Sequence, residues 1–225
     1  MSSPPSRPRR PSPLTVLGVV LLALGLSCLG YVGYQYLGTN VVADRSFDAT
    51  RQELRQRWQD VPRPGSAGTP KASTPAPLPG EATALLRIPA FGSSFEVPVR
   101  EGTDLDVLAK GVGHYPGTAA PGEVGNFAVA GHRVTHGEPF RRLEELDKGD
   151  EVVVETATAI YTYVLDEPPR NLTVTEAATW VLEPVPGQPE EAPTRALITL
   201  TTCQDLFHSP DRSVGFGHLE STTNK

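Results

Sequence analysis

The pattern of apolar and polar positions changes twice along the chain. No charged side chain occurs from Pro11 to Ala43, and Leu14 to Leu37 is apolar enough to cross a bilayer, which needs about 20 residues. Pro62 to Gly80 is almost entirely Pro, Gly, Ala, Ser and Thr, a composition typical of extended linkers. From Ala82 onward, short apolar runs alternate with Gly and Pro. The pattern predicts an anchor, a linker and one folded domain.

The apolar runs after Ala82 have the β-branched content and alternation of strands. The predicted strands are Ala84–Ile88, Phe95–Val99, Asn126–Ala130, Glu151–Glu155, Ile160–Leu165, Leu172–Thr175, Arg195–Thr202 and Ser213–Leu219. The last is weak on propensity because it contains Gly215 and Gly217. A short helix is predicted at Asp104–Lys110 and a helical turn at Glu138–Leu146. Many short strands with little helix favour a mostly β fold, a closed eight-stranded barrel.

The predicted organisation has five segments. They are an N-terminal tail (1–13), a transmembrane anchor (14–37), a juxtamembrane segment (38–61), the linker (62–80) and the folded domain (81–225). In the juxtamembrane segment, Phe47, Leu54 and Trp58 fall near one helical face, which leaves a helix and a solvated chain both open. The linker is expected to hold the domain some tens of ångströms from the membrane.

The charges that flank the apolar run predict its orientation. Arg7, Arg9 and Arg10 precede it with no acidic residue among them, whereas residues of both signs follow it. The positive-inside bias therefore places the N-terminus in the cytoplasm and the folded domain outside. The alternative is a cleaved signal peptide, with Val41-Val42-Ala43 as a tolerable cleavage sequence. The apolar run is longer than the roughly 7–15 residues of a signal peptide, which favours a single-pass anchor.

The net charge of −6 conceals a difference between the first 80 residues and the rest of the chain. From Glu81 onward there are 22 acidic and 11 basic residues. Nucleic-acid binding depends on Lys and Arg that neutralise phosphates. An acidic domain without a basic stripe therefore excludes nucleic acid as a partner.

The cysteine count points to chemistry in the outer domain. Of the two cysteines, Cys28 lies in the apolar run, so the outer domain contains Cys203 and no partner for it. Exported domains usually carry cysteines in even numbers, as disulfides. A lone exported thiol is accidental, intermolecular, or kept reduced for a reaction.

Three residues have the chemistry of a cysteine enzyme that attacks a carbonyl. Cys203 ends a predicted strand, and Arg212 follows it nine residues later across a loop. A thiol that attacks a carbonyl needs a base to remove its proton, and an arginine can stabilise the resulting oxyanion. Of the five histidines, His132 follows the strand Asn126–Ala130 through a glycine, at another strand end. We therefore predict Cys203 as nucleophile, His132 as acid/base and Arg212 as oxyanion donor.

Two blocks of sequence resemble the sortase family. GHYPGTAAPGEVGNFAVAGHRVTHGEPFRRLEELDKGDEVVV is similar to the sortase segment that carries the catalytic histidine. LITLTTCQDLFHSPDR is similar to the Thr-Leu-x-Thr-Cys segment with its arginine. The two blocks, in this order behind an anchor, resemble a class E sortase of high-GC Gram-positive bacteria. The resemblance covers about Leu85 to Leu219.

The resemblance implies the same three roles and adds a substrate. It implies cleavage of a Leu-Pro-x-Thr-Gly or Leu-Ala-x-Thr-Gly sorting signal on surface proteins, between Thr and Gly, through a Cys203 thioester. The acyl group then passes to an amine of a peptidoglycan precursor. Tyr115 is at the position that the family associates with Ala in the signal, and Thr202, beside the nucleophile, is a second candidate substrate-binding residue. The resemblance implies no cofactor.

Other functions use the same residues. A pilin-polymerising sortase, a catalytically silent peptide-binding barrel and a cysteine hydrolase are the alternatives. An acidic cluster that could attract Ca²⁺ is more simply a solvated face, so no metal site is predicted. Its members are Glu144, Glu145, Asp147, Asp150 and Glu151.

Overall fold

The computed structural model describes residues 12–59, 61, 76–203 and 210–225, without the side chain of Cys203. Most of the predicted tail, most of the predicted linker and His208 lie outside the described residues.

The N-terminal part of the chain is one helical run. Helix α1 (Pro13–Gly33) continues through a π-helical turn (Tyr34–Gly38) into helix α2 (Thr39–Gln59). Within the described residues, this run contains the one helix that is long and apolar enough to cross a membrane. The juxtamembrane segment is therefore helical, the first of the two possibilities that the sequence left open.

Helix α2 packs along the folded domain. Phe47 and Leu54 are buried on the predicted face, and Trp58 packs beside Leu54. At its edge, the guanidinium of Arg55 donates to both oxygens of Glu96 at 2.8 Å. Because α2 precedes the linker and already contacts the domain, the linker does not set the distance between the domain and the apolar helix. The expectation of a spacer was wrong in this respect.

The folded domain is a closed barrel. Its strands are β1 (Ala82–Arg87), β2 (Val97–Glu101), β3 (Val112–His114), β4 (Gly125–Ala130), β5 (Glu151–Glu155), β6 (Ala159–Glu167), β7 (Thr173–Thr175), β8 (Ala196–Cys203) and β9 (Asp211–Asn224). The sheet order is β6-β5-β1-β2-β3-β4-β8-β9-β7, and an additional pairing of β6 with β9 closes the barrel. The predicted eight-stranded barrel is confirmed, with β7 as an extra strand on β9.

Some predicted elements differ from those observed. Strand β3 was not predicted, since it has three residues and contains Gly113. That glycine is required by packing, because a Cβ there would lie 2.3 Å from the carbonyl oxygen of Gly102. The predicted helix after Asp104 is the shorter helix α3 (Leu105–Leu108), and the predicted helical turn is a 3₁₀ turn at Leu143–Glu145.

The glycines of β9 are an advantage to the barrel despite their low strand propensity. A Cβ on Gly215 would lie 2.6 Å from Pro169 Cγ, and one on Gly217 would lie 2.5 Å from the carbonyl oxygen of Val164. Both positions lack the room for a side chain where β9 crosses its neighbours. Strand β9 runs to Asn224, beyond the predicted end, because its last residues pair with β6.

Gly217→Ala is expected to destabilise the protein. The new methyl group would push against backbone of β6, and overpacking of this kind costs about 1–3 kcal/mol. Thermal unfolding of the full chain in detergent should show Tm lowered by about 2–4 °C for each kcal/mol. Ser221→Ala, at an exposed position of the same strand, is the matched control and should leave Tm unchanged. An equal Tm for Gly217→Ala and wild type would contradict the steric account.

Candidate active site

Strand pairing brings the three predicted catalytic residues to one rim of the barrel. Strands β4 and β8 are parallel neighbours, with Ala130 opposite Thr201. His132 and Cys203 each follow those partners by two residues, so they lie at the same level. Strand β9 returns antiparallel to β8, with Arg212 opposite Cys203. Since neighbouring strands are about 4.8 Å apart, the backbone segments that carry His132, Cys203 and Arg212 lie side by side.

Gly131 fixes the backbone between β4 and His132. Its amide donates to the carbonyl of Thr201 at 3.1 Å, and its carbonyl accepts from the Thr202 hydroxyl at 2.8 Å. A Cβ at this position would lie 2.6 Å from the Phe140 ring. The chain before His132 is thus tied to the chain before Cys203, and only glycine fits at the joint.

The two predicted substrate-binding residues differ in exposure. Thr202 is 2% exposed, and its hydroxyl is used by the bond to Gly131. Tyr115 is half-buried, and its hydroxyl lies 3.2 Å from that of Thr201. Thr201 is two residues before Cys203, near the end of β8. Tyr115 therefore has a surface to offer a ligand near this rim, whereas Thr202 ties two strands together.

The environment of His132 favours the neutral imidazole. Its ring stacks on that of His136, with centroids 5.0 Å apart. Within the part of the chain that the structure describes, its Nε2 is buried and has no hydrogen-bond partner. Burial, with a smaller contribution from the charge of His136, lowers the pKa of His132 to about 4. At neutral pH the ring is a proton acceptor.

Arg212 has defined partners beside the backbone of Cys203. Its Nη2 donates to Glu176 Oε2 at 3.2 Å, and its Nη1 donates to the carbonyl of Asp211 at 3.1 Å. Glu176 follows β7, which pairs with β9 through Val174 opposite Arg212. The extra strand β7 therefore brings a carboxylate to the guanidinium, which orients it while leaving it partly exposed at the rim.

A second set of contacts ties the His132 loop to β9. Both guanidinium nitrogens of Arg133 donate to Glu144 at 2.7 Å, and the Ser213 hydroxyl donates to Glu144 Oε1 at 2.7 Å. Burial raises the pKa of Glu144, but these hydrogen bonds outweigh it and hold the pKa below its ordinary value. Glu144 thus links the residue after His132 to the residue after Arg212.

Neither this network nor the role of His136 was found from the sequence. Ser213 is 69 positions from Glu144 in the chain, so no local pattern brings the two together. For His136, the spacing of four residues from His132 in HRVTH was a weak signal, because only the loop conformation brings the two rings together.

The other described histidines have structural partners. His114 is buried, and its ring contacts Glu101 at 2.7 Å and Thr118 at 2.9 Å. His218 contacts Asp166 at 2.7 Å. These contacts occupy both rings.

The acidic cluster is engaged with basic side chains and backbone. Glu145 pairs with Arg142, Asp147 pairs with Arg170, and Asp150 accepts from the amide of Asp147. Across the described ranges, no group of three or more His, Cys, Asp or Glu residues is arranged to hold a metal ion.

Glu144→Ala is expected to destabilise the protein, because it leaves Arg133 and the buried Ser213 without their partner. An unsatisfied buried polar group costs about 1–3 kcal/mol. The neighbouring Glu145→Ala removes only an exposed ion pair with Arg142, which is worth about 0–1 kcal/mol. Thermal unfolding of both variants measures the difference. Equal Tm values for the two would mean that the Glu144 network adds nothing beyond a surface ion pair.

Comparison with known proteins agrees with this geometry. Residues 86–220 match the sortase domain family. Sortase SrtE1 of Streptomyces coelicolor is 36% identical over 227 residues, which cover 95% of this chain and 60% of that protein. Sortase SrtE2 of the same organism is 34% identical, over 93% of this chain and 83% of that protein. The chain therefore spans less than two thirds of the length of SrtE1.

Solved structures give the same result for the barrel. Sortase E of Streptomyces avermitilis has a TM-score of 0.59 and 40% identity, covering 65% of this chain and 93% of that one. Sortase E1 of S. coelicolor, solved with a tripeptide in its active site, has a TM-score of 0.57 and 37% identity, covering 66% and 94%. The chain belongs to the sortase family, and the predicted class E relationship is confirmed.

Proposed function

We propose that this sortase is a membrane-anchored cysteine transpeptidase that joins surface proteins to a cell-wall amine. The observation that carries the proposal is the register of β4, β8 and β9, which aligns the strand ends that hold His132, Cys203 and Arg212. A thiol, a base and a guanidinium on three neighbouring strands are the groups that acyl transfer through a thioester needs.

In the first step, the Cys203 thiol attacks the Thr carbonyl of the sorting signal. Neutral His132 accepts the thiol proton as the S–C bond forms and the carbonyl becomes an oxyanion. His132 then donates that proton to the amide nitrogen of Gly, and the Thr–Gly bond breaks. The products are a Cys203 thioester and a free amine on the departing peptide.

Arg212 supplies hydrogen-bond donors where the oxyanion develops. A guanidinium carries five N–H donors in a fixed planar arrangement, which suits it to an oxyanion. A fixed, charged donor at a partly water-excluded rim stabilises the oxyanion more than water does. The pairing of Arg212 with Cys203 across β8 and β9 supports this role.

In the second step, an amine resolves the thioester. A peptidoglycan precursor amine attacks the thioester carbonyl, and His132 takes its proton. The S–C bond then breaks, and His132 returns the proton to the Cys203 sulfur, which restores the starting pair. If water takes the place of the amine, the same residues catalyse hydrolysis. Transfer therefore requires that the amine reach the thioester before water does.

We assign Tyr115 to the sorting signal and Thr202 to positioning. Tyr115 is partly exposed next to the end of β8, a suitable place to favour Leu-Ala-x-Thr-Gly over Leu-Pro-x-Thr-Gly. The tripeptide in the active site of sortase E1 supports peptide binding at this rim. Thr202 is buried on Gly131, which fits a role in aligning His132 with Cys203.

The anchor helix would hold the active rim toward the membrane. Residues 14–37 form the apolar span, and Thr39 and Asn40, directly after it, contact the loop that follows His132. The barrel would lie outside the cytoplasm, as the flanking charges predict. Both substrates, a surface protein with its sorting signal and a cell-wall amine, would then meet the rim on the outer side of the membrane.

A peptide assay tests the proposal. The full chain in detergent is incubated with a Leu-Ala-x-Thr-Gly peptide and triglycine, and the ligated peptide is measured by mass. Wild type is expected to form it, and Cys203→Ala is expected to form none. Arg212→Ala should lower kcat/KM by at least ~10²-fold, the loss typical of an oxyanion donor.

The products separate the possible activities. Cleaved peptide without ligated product would indicate a hydrolase, and binding without cleavage would indicate a silent barrel. Equal product from wild type and Cys203→Ala would disprove the nucleophile. A Leu-Pro-x-Thr-Gly peptide, run in parallel, tests the proposed preference for Ala, and Tyr115→Ala should reduce that preference.

The pH dependence of kcat/KM is expected to follow His132. Because its pKa is lowered to about 4, His132 stays able to accept a proton as the pH falls from 7 to 5. Activity should therefore hold across this range and decline as the pH falls through about 4. His136→Gln removes a charge that contributes to the lowered pKa, so the acid limb should move to higher pH. Circular dichroism at each pH separates loss of activity from unfolding, and an acid limb near 6.5 in wild type would contradict the burial of His132.

A further inference from the structure

The helix that continues from the apolar span reaches the loop that follows His132. The Asn40 side chain accepts from the amide of Gly137 at 2.9 Å and donates to Glu138 Oε1 at 2.9 Å. The Thr39 hydroxyl accepts from the amide of His136 at 3.4 Å. Two consecutive residues of α2 therefore bind three consecutive residues of the loop.

This loop has a backbone that needs outside support. Thr135, His136 and Glu138 have positive φ values of 70°, 51° and 48°, and Gly137 between them has φ 81°. Residues other than glycine rarely adopt this left-handed conformation, and it persists where the surrounding contacts over-determine it. The hydrogen bonds from Thr39 and Asn40 satisfy the amides that this conformation turns toward α2.

Packing supports the loop from the same side. A Cβ on Gly137 would lie 2.6 Å from the Phe47 ring and 3.2 Å from Ala43. Both of these helix residues are buried within the hydrophobic core of the barrel. The loop thus lies directly on α2, and a helix displaced from the barrel would leave it without this surface.

Two contacts connect the loop to His132, so the conformation of the loop affects the position of that residue. The His136 ring stacks on the His132 ring, and the amide of Phe140 donates to the carbonyl of His132 at 3.0 Å. His132 and Phe140 are therefore the two ends of a closed loop whose middle is held by α2.

We propose that α2 is a positioning element of the active site, with Asn40 as the positioning residue that holds the 135–138 loop so that His136 stacks on His132. The inference rests on the proposed role of His132 and adds a role for the anchor helix. It means that the helix does more than tether the enzyme, because the contact that orients the catalytic base comes from the residues next to the membrane span.

Asn40→Ala tests the proposal in the full chain, reconstituted in lipid nanodiscs. It should lower kcat by ~10-fold while KM for the Leu-Ala-x-Thr-Gly peptide changes little, since misplaced catalytic groups cost rate. The His132 and His136 ring resonances should shift in NMR spectra of histidine-labelled protein. Arg55→Ala is the matched control, because it removes a contact of the same helix with Glu96 far from the loop. It should change neither kcat nor these resonances.

Exchanging the donor and the acceptor between positions 40 and 138 tests whether the lost activity can be restored. Asn40→Asp keeps the acceptor for Gly137 but opposes the carboxylate of Glu138, so it should lower kcat. Adding Glu138→Gln turns that side chain into a donor toward Asp at position 40 and should restore most of kcat and the ring resonances. No rescue, or a drop in kcat for Arg55→Ala as large as that for Asn40→Ala, would assign Asn40 to general stability.

The same experiment separates this inference from the proposed function. If wild type is active, His132→Ala is inactive, and Asn40→Ala has wild-type kcat and ring resonances, the positioning role is wrong. If His132→Ala keeps activity, the proposed function is wrong, and the ring resonances still report whether Asn40 holds the loop.

Discussion

The parallel pairing of β4 with β8 is the constraint on which the catalytic arrangement depends. It sets Ala130 opposite Thr201, so two strand ends separated by about 70 positions in the chain finish at one level of the barrel rim. Gly131 and Thr202 then join these ends by hydrogen bonds. Strand β9 completes the rim by returning with Arg212 opposite Cys203. A change of this register by one residue would separate the proposed base from the proposed nucleophile. It would also turn every side chain of the shifted strand to the other face of the sheet.

Charge at this rim is distributed so that each group keeps a distinct protonation state. His132 is held neutral by burial, whereas Glu144 is held ionised by Arg133 and Ser213. Arg212 is held by Glu176. A neutral acceptor and a paired cation at the same rim suit a reaction that must first remove a proton and then stabilise a developing negative charge.

Helix α2 connects the apolar helix α1 to this rim. Its Ala43 and Phe47 belong to the barrel core, and its first turn contacts the loop after His132. The helix therefore fixes both the orientation of the barrel and the surface on which that loop lies. The apolar helix and the candidate active site are consequently held at a constant separation.

The sequence alone determined the apolar anchor, the linker composition, the barrel class and the spacing of Cys203 and Arg212, because these depend on local composition and on one hairpin. It identified the sortase resemblance from two continuous blocks. Only the tertiary structure decided which histidines stack, why Gly113 and Gly217 are required, that Thr202 is buried on Gly131, and that α2 supports the loop. These features arise from contacts between distant segments, where the room for a side chain and the exclusion of water depend on the closed barrel, and no local pattern encodes them.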